Sequence, residues 1–155
     1  MTFSAKTEYG VRLMIELGRQ EGEDPVSLKA IAEAEGLPLS YLEHVVASLK
    51  RAGLVRSSRG AHGGYRLARD AREISMDEVV LALEGAIAPM ECFVNVPTEK
   101  VACSHEVDQG QGCSTRLLWM RVQSGVIKAL QGTTLAELVE FSDRHQDREP
   151  VVAGA

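Results

Sequence analysis

The sequence predicts a mostly α-helical chain with a small β wing, a winged helix-turn-helix unit followed by a long dimerisation helix. Three observations predict it. Two helical patterns are separated only by Gly36-Leu37-Pro38-Leu39, too short for anything but a tight helix-turn-helix corner. The stretch "GLVRSSRGAHGGYRLAR" (53–69) then sets two short β-prone pieces around an arginine- and glycine-rich tip. Later, Leu117, Leu118, Trp119, Met120, Val122, Val126, Ile127 and Leu130 cover more of a helix than one core-facing stripe requires.

Taken in order, Ser4 can cap a first helix to about Gln20, with Tyr9, Leu13, Met14 and Leu17 on its core face. Glu8, Arg12 and Glu16 form a polar row spaced by four. Gly22-Glu23-Asp24-Pro25 breaks the chain, and Ser27 can cap a short helix from Leu28 to Glu35. Ser40-Tyr41-Leu42-Glu43 has the form of a capping box, in which the serine hydroxyl and the glutamate each satisfy an end amide. The helix it opens buries Leu42, Val45, Val46 and Leu49, an i, i+3, i+4, i+7 face. Leu54–Ser57 and Tyr65–Ala68 are the wing strands. Ser75-Met76-Asp77-Glu78 and Thr134-Leu135-Ala136-Glu137 are two further capping boxes, opening helices to about Gly85 and Phe141. Between them the long helix runs from about Ser114 to Gln131. The expected organisation is 1–85 for the winged unit and 86–113 for a cysteine-bearing cofactor loop. Residues 114–142 hold the dimerisation and terminal helices, and 143–155 form a disordered tail.

With 45% hydrophobic and 25% charged residues, the composition is that of a globular protein. No apolar run reaches the roughly 20 residues a membrane helix needs. Met1-Thr2-Phe3-Ser4-Ala5-Lys6 lacks the basic-then-apolar order of a signal peptide, so a cytoplasmic location is expected. The net charge of −5 conceals an asymmetry. Residues 50–72 hold Lys50, Arg51, Arg56, Arg59, Arg66, Arg69 and Arg72 against Asp70 alone. A basic stripe on an otherwise acidic chain suits one phosphate-facing surface.

The second helix of the pair turns Glu43, His44, Ala47, Ser48, Lys50 and Arg51 away from its core face, with Ser40 and Tyr41 at its entry. In the major groove its N-terminal residues would meet base edges. A carboxylate is repelled by phosphate, so Glu43 either accepts from cytosine N4 or serves the capping box alone. Arg59, beside Gly60, Gly63 and Gly64, can enter a minor groove. Lys50, Arg51, Arg56 and Arg66 are phosphate-contact candidates, which add salt-dependent affinity but little specificity.

The three cysteines, Cys92, Cys103 and Cys113, fall in one polar stretch as C-x10-C-x9-C. An odd number leaves no complete disulfide set, and thiols in a reducing compartment point to ligands or redox groups. The spacing exceeds the C-x2-C of zinc knuckles, and thiolates suit iron–sulfur clusters, whose ligands can include a non-cysteine residue. Gly110 and Gly112 allow a close backbone wrap, and a helix start at Cys113 favours thiolate. Candidates for a fourth position are Glu8 and His105, with Asp108 and Glu106 behind them.

Together "YGVRLMIEL", "LSYLEHVVASLKRAGLVRSSRGAHGGYRLAR", "MECF" followed by "GCSTRLLW", and "TTLAELVE" resemble the IscR/NsrR family of bacterial iron–sulfur transcription regulators, over about residues 1–142. The resemblance implies a homodimer on double-stranded operator DNA. It implies an iron–sulfur cluster, [2Fe-2S] rather than [4Fe-4S], ligated by Cys92, Cys103 and Cys113. Some relatives carry a histidine three residues after the last cysteine, where this chain has Arg116, which cannot ligate. Others use an acidic residue early in the first helix, supplied by the second subunit, and Glu8 matches that position. Glu8 is equally placed for an i, i+4 pair with Arg12, and His105 is the rival ligand. The expected function is a repressor whose operator affinity follows cluster status under iron limitation, oxidants or nitric oxide. A thiol- or zinc-based regulator without iron is the alternative. Neither H-E-x-x-H nor G-x-x-x-x-G-K-[ST] occurs, and no enzymatic turnover or small-molecule substrate is expected.

Overall fold

The computed structural model describes residues 3–20, 24–60, 62–89 and 115–146. Its centre is α1 (Ala5–Arg19), which buries Leu13, Met14 and Leu17 against the helices around it. These are α2 (Leu28–Glu35), α3 (Leu39–Arg51), α4 (Met76–Glu84) and α6 (Leu135–Gln146); between the last two runs α5 (Arg116–Gln131). Leu42, Val45, Val46 and Leu49 of α3 are all 0–2% exposed, as their spacing requires. Each fully buried side chain of this size stabilises the fold by about 1.5–3 kcal/mol before entropy is counted.

The helix-turn-helix corner is built differently from the sequence expectation. Gly36 ends α2 at φ 63°, the left-handed region that favours glycine, and both its amide and that of Leu37 bond the Ala32 carbonyl. Pro38, with φ −65°, is the N-cap of α3, and its carbonyl accepts from the amides of Tyr41 and Leu42, each at 3.1 Å. The expected Ser40–Glu43 capping box does not form. The rigid proline starts the helix early, at Leu39, so Ser40 is already helical and cannot cap. Ser27, Ser75 and Thr134 do cap. Ser27 Oγ accepts from Ala30 N at 3.1 Å, Ser75 and Glu78 form a reciprocal box, and Thr134 and Glu137 form another.

The wing is an antiparallel pair, β1 (Val55–Ser58) and β2 (Gly64–Leu67), each one residue from the expected position. Val55 faces Leu67 and Arg56 faces Arg66. Val26 pairs with Tyr65 through two backbone bonds of 2.8 and 2.9 Å, adding a third short edge to the sheet. Gly64 is needed there, because a Cβ at this position would lie 2.4 Å from the Val26 carbonyl oxygen. After β2 a 3-10 turn, Ala71–Glu73, leads into α4.

Two long-range constraints were not apparent in the pattern. Ser75 and Thr134 form an antiparallel bridge, flanked by Met76 N to Thr133 O and Leu135 N to Ile74 O, both 2.9 Å. The two capping boxes thus lie side by side, and Ile74 and Leu135 are fully buried. At the other end Glu84 Oε1 accepts from Ser4 N (2.7 Å), Ser4 Oγ (2.7 Å) and Thr7 Oγ1 (2.5 Å). The N-terminus of α1 is therefore satisfied by a carboxylate from α4 rather than by the Ser4 side chain.

α6 continues to Gln146, past the expected end near Phe141 and into the expected tail. Arg19 explains the extra turn. It holds Asp143 at 3.0 Å and Ser142 at 2.5 Å, and also pairs with Glu16. No helix among the described residues is long and apolar enough to cross a membrane.

Two outcomes test these constraints. Burial opposes ionisation of Glu84, but the bonds from Thr7 and Ser4 and the charge of Lys6 outweigh it and hold the carboxyl below its ordinary value of 4.5. A depressed carboxyl contributes stability that is present above that value and lost as pH falls through the folded-state pKa. Thermal melts below pH 4.5 should accordingly show a weaker acid dependence in Glu84→Gln than in wild type. Gly64→Ala should lower stability by about 1–3 kcal/mol in denaturant titration, since backbone cannot yield as a side chain does.

Candidate nucleic-acid interface and cofactor residues

Beginning α3 at Leu39 fixes which side chains project from the molecule. Ser40, His44, Ala47 and Arg51, at i, i+4, i+7 and i+11, form its outermost row, and all four are exposed. Leu39, Glu43 and Lys50 lie along one flank, and Tyr41 and Ser48 along the other. Lys50 Nζ donates to Ser57 Oγ at 2.6 Å, tying the end of α3 to β1. The Tyr41 ring meets Tyr9 edge-on, with centroids 5.3 Å apart at 81°, which braces the entry of α3 against α1. Ser48 is half-buried and bonds back to the His44 carbonyl. Glu43 is exposed, and its carboxylate has no capping task.

The basic stretch divides into two groups. Arg51, Arg56 and Arg59 are exposed and form no ion pair among the described residues. Arg66, half-buried, stands opposite Arg56 across the wing. Arg69 is structural, for it holds Glu78 at 2.8 Å and the Glu73 carbonyl at 3.3 Å, bracing the start of α4. Burial works against ionisation of Glu78, yet the Arg69 and Ser75 bonds pull its carboxyl below the ordinary value. The charge count includes Arg69 in the basic stripe, though not among the phosphate-contact candidates, and no sequence signal announces its pair with Glu78.

On the outer side of α1, Glu8 is 61% exposed and accepts from Arg12 Nε at 3.0 Å. The expected i, i+4 pair is therefore present, and the carboxylate stays open to solvent. Arg12 also reaches Glu35, at the end of α2, at 3.8 Å. Burial, with Glu16 nearby, pushes the Glu35 carboxyl up, while Arg12 opposes this. Beside Glu8 lies a groove of about 360 Å³ with Phe3, Val11, Val80 and Leu138 on its walls. A larger cleft of about 670 Å³ lies between the wing, the end of α1 and α6, and its walls carry Asp24, Asp70 and Glu140 as well as arginines.

Cys92, Cys103, Cys113, His105, Glu106 and Asp108 lie outside the described residues, as do Gly110, Gly112 and Ser114. The described residues contain no cluster of three or more metal-ligating side chains. They do show where the segment joins the fold. Gln123 Nε2, on α5, donates to the carbonyl of the buried Ile87 at 2.8 Å. α5 begins directly after the cysteine segment and buries none of its residues, leaving Leu117, Leu118 and Met120 at 59%, 55% and 51% exposure.

Comparison with known proteins identifies the assembly. A family described as "Rrf2: Iron-dependent Transcriptional regulator" matches residues 3–141. The chain is 37% identical over 147 residues to the HTH-type transcriptional regulator CymR of Bacillus subtilis, across 95% of this chain and 96% of that one. The solved structure of CymR, described as the global cysteine regulator of B. subtilis, superposes with a TM-score of 0.71 and covers 91% of this chain and 98% of its own. T. potens IscR superposes at 0.70 with 35% identity, covering 96% and 92%. The reading helix, the wing and the similarity along the chain agree: this protein belongs to the Rrf2 family of DNA-binding winged-helix transcription regulators, which are not enzymes.

Proposed function

We propose that the chain is a homodimeric cytoplasmic repressor whose operator affinity is set by an iron–sulfur cluster, [2Fe-2S] in type. The observation that carries this is the composition of α5. One helix presents Leu117, Leu118 and Met120 to solvent and follows directly on the segment that holds every cysteine. Apolar exposure of that extent calls for a second copy, which joins the dimer face to the cofactor segment. Cys92, Cys103 and Cys113 supply three thiolates, and Glu8 from the second copy supplies the fourth ligand, with His105 as its rival. The donor set suits iron, and the exposure of Glu8 leaves its carboxylate within reach of another subunit. When bound, the cluster supplies redox and ligand-exchange chemistry at iron.

In this reading Ser40, His44 and Arg51 face the duplex. Tyr41 and Ser48 flank them on one side, and Glu43 accepts from a cytosine amine. Lys50, Arg51, Arg56 and Arg66 neutralise phosphates, and Arg59 enters the minor groove from the wing tip. Two reading helices must match half-sites about 34 Å apart, so a small change at the dimer helix changes operator affinity.

The similarity to CymR, the global cysteine regulator of B. subtilis, favours a second reading. There the same three thiols act by thiol chemistry or hold zinc, with no iron. Iron and sulfide analysis with a visible spectrum, on anaerobically purified wild type and Glu8→Ala, separates the two. Stoichiometric iron and sulfide, with a changed spectrum or cluster loss in Glu8→Ala, is expected. An unaltered Glu8→Ala spectrum transfers the fourth position to His105, and no iron or sulfide after reconstitution leaves the thiol or zinc switch. Independently, Arg51→Gln should weaken binding to all duplexes alike and reduce the slope of log K against log salt by about 0.9 for each phosphate it no longer neutralises.

A further inference from the structure

The early start of α3 brings a leucine into the region that reads DNA. Leu39 is the first residue of α3 and is 39% exposed, whereas Leu37, two residues earlier, packs on the core. It directly follows the Pro38 cap, and it shares a flank of α3 with Glu43 and Lys50. Toward the other end of α3 and on the wing, Lys50, Arg51, Arg56 and Arg59 are all exposed, so the face that carries α3 matches a phosphate-lined groove rather than an apolar protein partner. The N-terminal turn of a reading helix comes nearest to base edges. The apolar feature there is the C5-methyl of thymine, and its hydrogen-bonding counterpart on cytosine is the N4 amine. Leu39 and Glu43 place those two complementary chemistries on one flank.

We propose that Leu39 is a specificity-determining residue that packs against the C5-methyl of a thymine in each half-site. This rests on α3 being the DNA-reading helix. Ala47, on the outermost row, is the rival apolar residue but is shorter and lies about two turns further from the N-terminus.

The test starts from a duplex selected out of random-sequence DNA by the purified full-length protein. Each thymine is then replaced singly by deoxyuridine, which lacks only the methyl, and binding is followed by fluorescence anisotropy. For wild type, one position per half-site should lose about four-fold in affinity, the value of one buried methyl-sized group. Leu39→Ala, which alters both half-sites of a dimer at once, should bind the thymine duplex about as weakly as wild type binds a duplex with both of those thymines replaced, with no further loss on substitution. Leu39→Met, which keeps an apolar side chain of similar reach, should retain the discrimination. Uniform wild-type affinity for every deoxyuridine duplex overturns the proposal, as does a penalty that persists in Leu39→Ala, which would assign the methyl to Ala47. If selection enriches no sequence and Arg51→Gln leaves binding unchanged, α3 is not the reading helix and both readings fall. If Arg51→Gln weakens binding while the methyl effect is absent, the Leu39 assignment alone is overturned.

Discussion

The burial of α1 is the constraint on which the other elements depend. One face of this helix, Leu13, Met14 and Leu17, supports the reading helix, α4 and the C-terminal helix together. Its start is capped from α4 by Glu84, and its end is tied to α6 through Arg19. The opposite face carries Glu8 and Arg12. A single rigid rod thus sets the reading helix and the candidate ligand at a fixed relation, so a displacement of one is felt by the other. Interiors packed to crystal-like density transmit such shifts instead of absorbing them.

Elements that rest on local chemistry were legible in the sequence. The core face of α3, the ends of α2, the Ser75 and Thr134 boxes and the hairpin all follow from residue spacing and capping within a few positions. The failures share one cause, competition from a partner that spacing does not show. Ser40 and Glu43 satisfy the capping pattern, but the proline two residues before Ser40 claims the helix start. Arg69 counts as a basic residue until it meets Glu78. Asp143 reads as the beginning of a frayed tail until Arg19, far away in the chain, holds it. The third edge of the wing at Val26 gave no signal beyond a lone valine after a proline. Of the site, the projecting row on α3 was legible from its helical period, whereas the grouping of the cationic side chains needed three dimensions.

The two readings of the cysteines differ in chemistry but share one mechanical requirement. Either a cluster or a thiol switch must act on α5, because the segment joins the fold at the carbonyl of Ile87 and at the start of that helix. Gln123 fastens the first of these to the second. In the proposed reading, where α5 is the dimer face, it is this helix that carries the signal from the cysteines to the winged unit.

That fastening has an evolutionary consequence. The Gln123–Ile87 bond joins residues 36 apart, so α5 and the residues that follow α4 are held together whatever lies between them in sequence. Closure entropy grows only logarithmically with length, by about 0.6 kcal/mol per doubling. On that scaling, a change in the number of residues between Ile87 and Gln123 costs the described fold little. In the proposed reading the sensing segment is the part free to diverge, and the winged unit is the part that is kept.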